Sequence, residues 1–338
     1  MTNNPVKALV TGGRGFIGSH LCVRLAESGV LVYALNRSNT SKNKKYNEFV
    51  IQGKILILQG DIIDFNYLNI PKMDYIYHLA GKVSVWGEYS EFEDINYHAT
   101  ERLLQFAKMN PPECFCFFST ASVYGFYGYK NLTEDEKKIP FKNPYPLTKL
   151  KTEELVKSFC PANKINYVII RPCNVYGEYD YTSSYEIYKR IKNEKMILCA
   201  NGGYLSCFVY IGNFIDASLL LSKNINAYNT DYNVSDGYNE TLYGYCAAVA
   251  KQFNVKPKFT NVPAPFAKIA ANIIECWYKF FRIKTAPLIT KFSVYQNCAD
   301  YNFSIQKLKN TGYSPKINME EGIKRTIQWF NNEAEIDE

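Results

Sequence analysis

Ala8-Leu9-Val10-Thr11-Gly12-Gly13-Arg14-Gly15-Phe16-Ile17-Gly18 carries the decisive signal of this 338-residue chain. An apolar run passes into glycines at 12, 15 and 18, and a helical pattern follows until Gly29. This spacing suits a pyrophosphate held close to backbone. Gly12 permits a sharp turn off the strand, Gly15 removes a side chain from the phosphate path, and Gly18 lets the helix pack tightly on the strand. The helix N-terminus adds free N–H groups and the positive end of its dipole. A chance glycine turn is the bland alternative. The strand before and the helix after favour dinucleotide binding.

Outward from this stretch, strand and helix patterns alternate. The sequence predicts strands at Val6–Val10, Leu31–Leu35, Ile55–Leu58, Tyr75–Leu79, Cys114–Ser119 and Tyr167–Arg171. Helices are predicted at Ile17–Ser28, Ile95–Met109 and Pro146–Phe159. Such alternation with short connections means a parallel sheet covered on both faces. The expected fold is α/β, a doubly wound parallel-sheet Rossmann fold with a smaller mixed α/β C-terminal substrate lobe. We divide it as 1–175, binding NAD(P), and 176–333, with segments of the second part returning to the sheet.

Composition narrows the function classes. The apolar fraction of 47% and charged fraction of 21% describe a folded globular chain. The net charge of +7 comes from scattered basic residues, which argues against nucleic-acid binding. Ten cysteines lack metal-site spacing, so reduced thiols in the cytoplasm and no bound metal are expected. Cys114 and Cys116 should share one face of a strand. No apolar run is long enough to span a bilayer. Phe266–Phe281 is amphipathic, with Phe266, Ile269, Ile273, Trp277 and Phe280 at helical spacing. We read it as a helix packed on its own domain or capping a pocket, in preference to a membrane-surface contact.

The second chemical signal is Tyr145-Pro-Leu-Thr-Lys149. Residues four apart share a helix face. A nearby ammonium favours phenolate, which would let the phenol exchange a proton with substrate near neutral pH. The pattern arises often by chance in a Tyr-rich chain. It gains weight by following Ser119-Thr120-Ala121-Ser122-Val123-Tyr124-Gly125, a hydroxyl-rich strand end. Ligands of open parallel sheets bind beyond such ends.

Together these elements resemble the extended short-chain dehydrogenase/reductase family, the NAD-dependent epimerase/dehydratase superfamily. The likeness extends through Gly60-Asp61, His78-Leu79-Ala80-Gly81, Asn96–Thr100, Arg171-Pro-Cys-Asn-Val-Tyr-Gly177, Phe208-Val-Tyr-Ile and Tyr232-Asn-Val-Ser-Asp236. The resemblance implies that Gly12, Gly15, Phe16, Ile17 and Gly18 hold the pyrophosphate. Asp61 and Ile62 would border the adenine, and Leu79, Ala80, Gly81 and Ser119 would line the cofactor. Thr120 would orient a substrate oxygen, Tyr145 act as general acid/base, and Lys149 bind the nicotinamide ribose and lower the tyrosine pKa. Pro172 and Asn174 would lie at the nicotinamide, and Ser122, Cys173 and Asn174 at the substrate. A small-molecule substrate and a homodimer are also implied.

Departures from the family pattern refine this. After the second strand stands Asn36-Arg37-Ser38, with Lys42, Lys44 and Lys45 nearby. An acidic residue there binds the adenosine 2′-hydroxyl, whereas arginine accommodates a 2′-phosphate, so Arg37 leans the cofactor towards NADP over NAD. Dehydratases of the superfamily place Asp-Glu directly after the catalytic threonine, where this chain has Ala121-Ser122. Sugar-nucleotide epimerases place Arg-Asp before the Phe-Val-Tyr segment, where this chain has Ser206-Cys207. The C-terminal third resembles the 3-beta-hydroxysteroid dehydrogenase and dihydroflavonol-reductase-like branches. The reading is hydride transfer at a secondary alcohol or ketone carbon, leaning to an oxidoreductase. The alternatives are a nucleotide-sugar epimerase with tightly bound NAD and a non-catalytic dinucleotide-binding regulator.

Overall fold

A computed structural model describes residues 5–334. Seven parallel strands form the central sheet: β1 (Lys7–Thr11), β2 (Leu31–Asn36), β3 (Ile55–Gln59), β4 (Tyr75–His78), β5 (Cys114–Phe118), β6 (Tyr167–Pro172) and β7 (Thr230–Val234). Their order is β7-β6-β5-β4-β1-β2-β3. The order reverses between β1 and β4, which opens a crevice at their carboxyl ends. The helices that matter below are α1 (Phe16–Glu27), α2 (Ala99–Met109), α3 (Pro144–Ala162), α4 (Ile211–Lys223), α5 (Ala264–Phe280), α6 (Lys291–Asn297) and α7 (Met319–Trp329).

The two-residue period of a strand builds a core on each face. In β5 all five residues are buried. Cys114, Cys116 and Phe118 join one cluster, with Val10 of β1, Leu21 and Leu25 of α1 and Phe214 of α4. Phe115 and Phe117 join the other, with Leu103 of α2 and Val156 of α3. Cys114 and Cys116 do share a face, their sulfurs 3.6 Å apart. Apolar residues on both faces of one strand are what a doubly covered parallel sheet requires.

Beyond residue 175 the chain leaves this rhythm and returns to it with β7, which pairs in register with β6 from Thr230–Val168 to Val234–Pro172. The intervening segments make short ladders. Asn174–Tyr176 pairs with Phe208–Tyr210, and Tyr129–Leu132 with Tyr301–Phe303. Among the described residues no helix is long and apolar enough to cross a membrane.

Helix α3 begins two residues before the predicted start. Asn143 caps it by accepting the Tyr145 N–H at 3.0 Å, and Pro144 takes the first helical position, where its missing N–H costs nothing. Tyr145 is therefore in the first turn.

Candidate active site

The glycine turn is built as its spacing demands. Gly12 has φ +71°, and its N–H donates to the Leu35 carbonyl at 3.0 Å. A side chain there would strike the Ala80 backbone nitrogen at 3.0 Å, so β1 and the segment after β4 meet without room for a Cβ. A Cβ on Gly18 would overlap the Gly12 carbonyl oxygen and lie 2.9 Å from the Gly12 carbonyl carbon. The helix can approach the strand only because both are glycine. Gly15 is exposed and caps α1 without a side chain. The N–H groups of Phe16, Ile17 and Gly18 open the first turn, where no intrahelical acceptor exists. These residues fit a dinucleotide pyrophosphate.

Thr11 ties this turn to β4: its hydroxyl bonds His78 Nδ1 at 2.7 Å and accepts the Ala80 N–H at 3.1 Å. His78 Nε2 bonds the Thr100 hydroxyl at 2.7 Å. Burial and the neighbouring Lys149 charge hold the imidazole down at about 3, so it is a neutral strut. Gly81 follows, with space for a Cβ closed by Asn96 Oδ1 at 2.9 Å and Lys149 Nζ at 4.0 Å. Asn96 accepts the Lys82 N–H at 2.7 Å and donates to the Thr148 hydroxyl at 3.0 Å, clamping the β4 exit to α3.

Thr120, Ser122 and Tyr145 come together at the β5 exit. The Thr120 hydroxyl lies 2.9 Å from the Ser122 hydroxyl and also accepts the Ser122 N–H at 3.2 Å. The Tyr145 phenol is half-buried, with the Thr120 hydroxyl near enough to favour its ionised form. Burial pushes the phenol up to about 12, and the Thr120 hydroxyl nearby offsets this only in part. Here the structure corrects the expectation of a phenol made acidic by Lys149. The Lys149 ammonium is turned to the Phe118 carbonyl, 4.3 Å from the centre of the Phe117 ring. Burial pulls it down to about 7, against a smaller opposing pull from Glu153.

Three expected cofactor positions have other commitments. The Ser119 hydroxyl donates to Glu153, leaving only its backbone for a cofactor. The Ile62 side chain belongs to the core under β3 and β4. Asp61 accepts the Ile63 N–H at 3.1 Å and is half-buried at the sheet edge. Leu79 and Ala80 are half-buried beside the glycine turn. Pro172 ends β6, and Cys173 and Asn174 follow with their N–H groups bonded to Val234 and Cys207 carbonyls. Asn174 Oδ1 accepts from Gln296 of α6 at 3.1 Å.

Around the adenosine end, Asn36 is buried and spent on the fold. Its Oδ1 accepts the Arg14 N–H at 2.9 Å, and its Nδ2 donates to the Tyr46 hydroxyl at 2.8 Å. Arg37 is exposed, and the Arg14 guanidinium donates to Ser38 beside it. The lysines nearby are drawn elsewhere: Lys44 pairs with Glu333 at 3.2 Å, Lys45 pairs with Glu27, and Lys42 lies 5.4 Å from the Tyr181 ring. They add nothing specific to the case for a 2′-phosphate.

Sequence reasoning missed the ionic cluster beneath the site. Arg171 is wholly buried; its Nε donates to Glu153 at 2.9 Å, and one terminal nitrogen donates to Glu153 at 2.6 Å and also to Asp231. Its other terminal nitrogen donates to the Tyr124 hydroxyl at 2.7 Å. This ties β6, α3, β7 and the Thr120 turn together. Glu153 falls four residues after Lys149 on the face already bearing Tyr145, the one local hint of its place.

A family model, the NAD dependent epimerase/dehydratase family, matches residues 8–235. The chain belongs to that family. Human dTDP-D-glucose 4,6-dehydratase is 27% identical, over 96% of this chain and 89% of that protein. The 2-alkyl-3-oxoalkanoate reductase of Stenotrophomonas maltophilia is 26% identical, over 95% of this chain and 98% of that protein. UDP-glucuronic acid 4-epimerase from Bacillus cereus, solved in complex with NAD, superposes with TM-score 0.77 at 22% identity, covering 96% of each chain. The family assignment makes this chain an NAD-binding enzyme.

Proposed function

We propose that this chain transfers a hydride at a secondary alcohol or ketone carbon, as a net oxidoreductase, with Thr120, Tyr145 and Lys149 as its working groups. The observation that carries this is the gathering of the Thr120 hydroxyl and the Tyr145 phenol at the β5 exit, beside the Gly12–Gly81 crevice. When bound, a nicotinamide dinucleotide would donate or accept the hydride. Thr120 and Tyr145 hold the substrate oxygen between them. A phenol at about 12 stays protonated at neutral pH, which suits proton donation to a carbonyl oxygen and hence reduction. Lys149, poised at about 7 and turned to the Phe118 carbonyl, would bind the nicotinamide ribose and take positive charge. Pro172, Cys173 and Asn174 border the reacting end, with Ser122 steadying Thr120.

The Ala121-Ser122 pair weighs against dehydration. Elimination needs a second acid and base at the substrate, and neither residue supplies one. Ser206-Cys207 offers no cation to a substrate diphosphate. A nucleotide-sugar epimerase with tightly held NAD is the second reading, favoured by likeness to the Bacillus cereus enzyme. Net turnover of the dinucleotide separates the two. For the cofactor we keep NADP ahead of NAD on Arg37 and Arg14, which flank the β2 exit. The division at residue 175, a homodimer, and a cytoplasmic setting, in keeping with ten free thiols, complete the proposal.

Tyr145→Phe tests the mechanism. Dinucleotide affinity should be unchanged and turnover should fall a hundredfold or more, on the order of lost acid/base catalysis. Undiminished turnover would remove Tyr145 from the chemistry.

A further inference from the structure

Helix α5 packs on its own domain through the face opposite to its large apolar residues. Ala267, Ala271 and Glu275 are its buried positions. Phe266, Ile269, Ile273, Trp277 and Phe280 lie at spacings of three and four and face outward, 68%, 56%, 64%, 57% and 81% exposed. Phe281 and Leu288 extend the patch at 55% and 77% exposure. The helix does pack on its own domain, but the apolar stripe that suggested this is not the face that packs. Small alanines give the closer approach to α6, so the bulky side chains are turned away. Leaving so many contiguous large apolar groups in water is costly unless something covers them.

The surrounding charge says what covers them. Between Pro263 and Lys291 the ionisable charges are Lys268, Lys279, Arg282, Lys284 and Lys291 against Glu275 alone. Glu275 is buried, accepting the Lys291 N–H at 2.6 Å, so the exposed charges of this segment are all basic; the acid that faces them is Glu91, which is near Lys284 and already paired with Lys82. Lys268 and Lys279 lie along the flank of the stripe, over the rings of Tyr295 at 5.0 Å and Trp86 at 5.9 Å. Apolar and aromatic groups below a collar of basic side chains match an interface of acyl chains and anionic headgroups. A second copy docked by two-fold symmetry would bring two basic collars together, with Glu91 already held by Lys82.

We propose that α5 and the turn after it seat this protein on an anionic lipid surface, the helix lying in the interface plane. The seat adjoins the active-site mouth. Trp86 Nε1 donates to the Ile283 carbonyl at 3.0 Å, and its ring meets Tyr278 of α5. The Trp86 loop begins at Gly81, and the neighbouring Val83 is 73% exposed. On the far side, α6 connects α5 to Asn174 through Gln296. The inference rests on this surface alone and does not depend on the catalytic reading.

Vesicle flotation of the full chain tests it. Vesicles of phosphatidylcholine with about one third phosphatidylglycerol should carry the protein up, and pure phosphatidylcholine should carry far less. Ile273→Glu with Trp277→Glu should abolish flotation while dinucleotide binding stays intact, which shows the variant folded. Arg282→Glu with Lys284→Glu should weaken binding to anionic vesicles by about fivefold or more per residue. Failure to float with anionic vesicles overturns the proposal. So does flotation indifferent to both double variants. A dimer in light scattering that Ile273→Glu with Trp277→Glu dissolves, without vesicle binding by the parent, would assign the face to a second copy and likewise overturn it.

Discussion

Lys149→Met should make this protein more stable and catalytically inert, and the gain should depend on pH. Lys149 is buried, with one carbonyl and one ring face as its partners. Burial lowers its pKa to about 7, from an ordinary lysine value near 10.4. The cost of the buried ammonium is therefore borne in full below pH 7. It is relieved as pH rises from about 7 towards about 10.4, where the unfolded chain also loses its proton. At 1.36 kcal/mol per tenfold, the full effect is about 5 kcal/mol, and relaxation around the charge makes about 2 kcal/mol the lower expectation. Methionine has a similar unbranched stem and no charge, so it keeps the packing and removes the titration. Urea unfolding of both proteins at pH 6, 7, 8 and 9, with no dinucleotide added, measures the difference. The variant should be more stable by about 2–5 kcal/mol at pH 6, and its advantage should shrink steadily above pH 7. Parallel stability curves across that range would refute the reasoning, since they would mean that Lys149 titrates alike folded and unfolded.

Asp236 should behave with the opposite slope. Burial raises it to about 7, despite hydrogen bonds from the Tyr210 N–H and Asn213 Nδ2. Its contribution to stability is full below about pH 4 and is lost as pH rises to about 7. Asp236→Asn should therefore help stability more at pH 8 than at pH 5, as read from urea midpoints. Gly18→Ala forces α1 away from the Gly12 carbonyl and should cost about 1–3 kcal/mol by overpacking, with dinucleotide affinity falling at least about tenfold by calorimetry. Arg37→Asp should weaken NADP binding far more than NAD binding; equal losses would exclude a 2′-phosphate contact.

Much of the fold was legible because it rests on local rules. Apolar runs such as Cys114–Phe118, bounded by turn residues, declare buried parallel strands, and the strand–glycine–helix sequence of 8–18 declares a turn shaped to fit a pyrophosphate. The helical spacing of Tyr145 and Lys149 was equally visible. The charge relation between them was not. Their side chains lie on one face, yet Lys149 reaches the Phe118 carbonyl, and burial raises the phenol where a bare ammonium would lower it.

The sequence by itself determined the strands of the first half and the glycine-lined crevice beside them, because these follow from backbone freedom at glycine and from the periods of strand and helix. Tertiary structure alone decided which face of α5 meets solvent, which lysines near Arg37 are occupied, and that Arg171, Glu153 and Asp231 share one buried site. A periodic pattern specifies that a face exists. What covers it, and how far a nearby charge is stripped of water, depends on segments distant in the chain that only folding brings together.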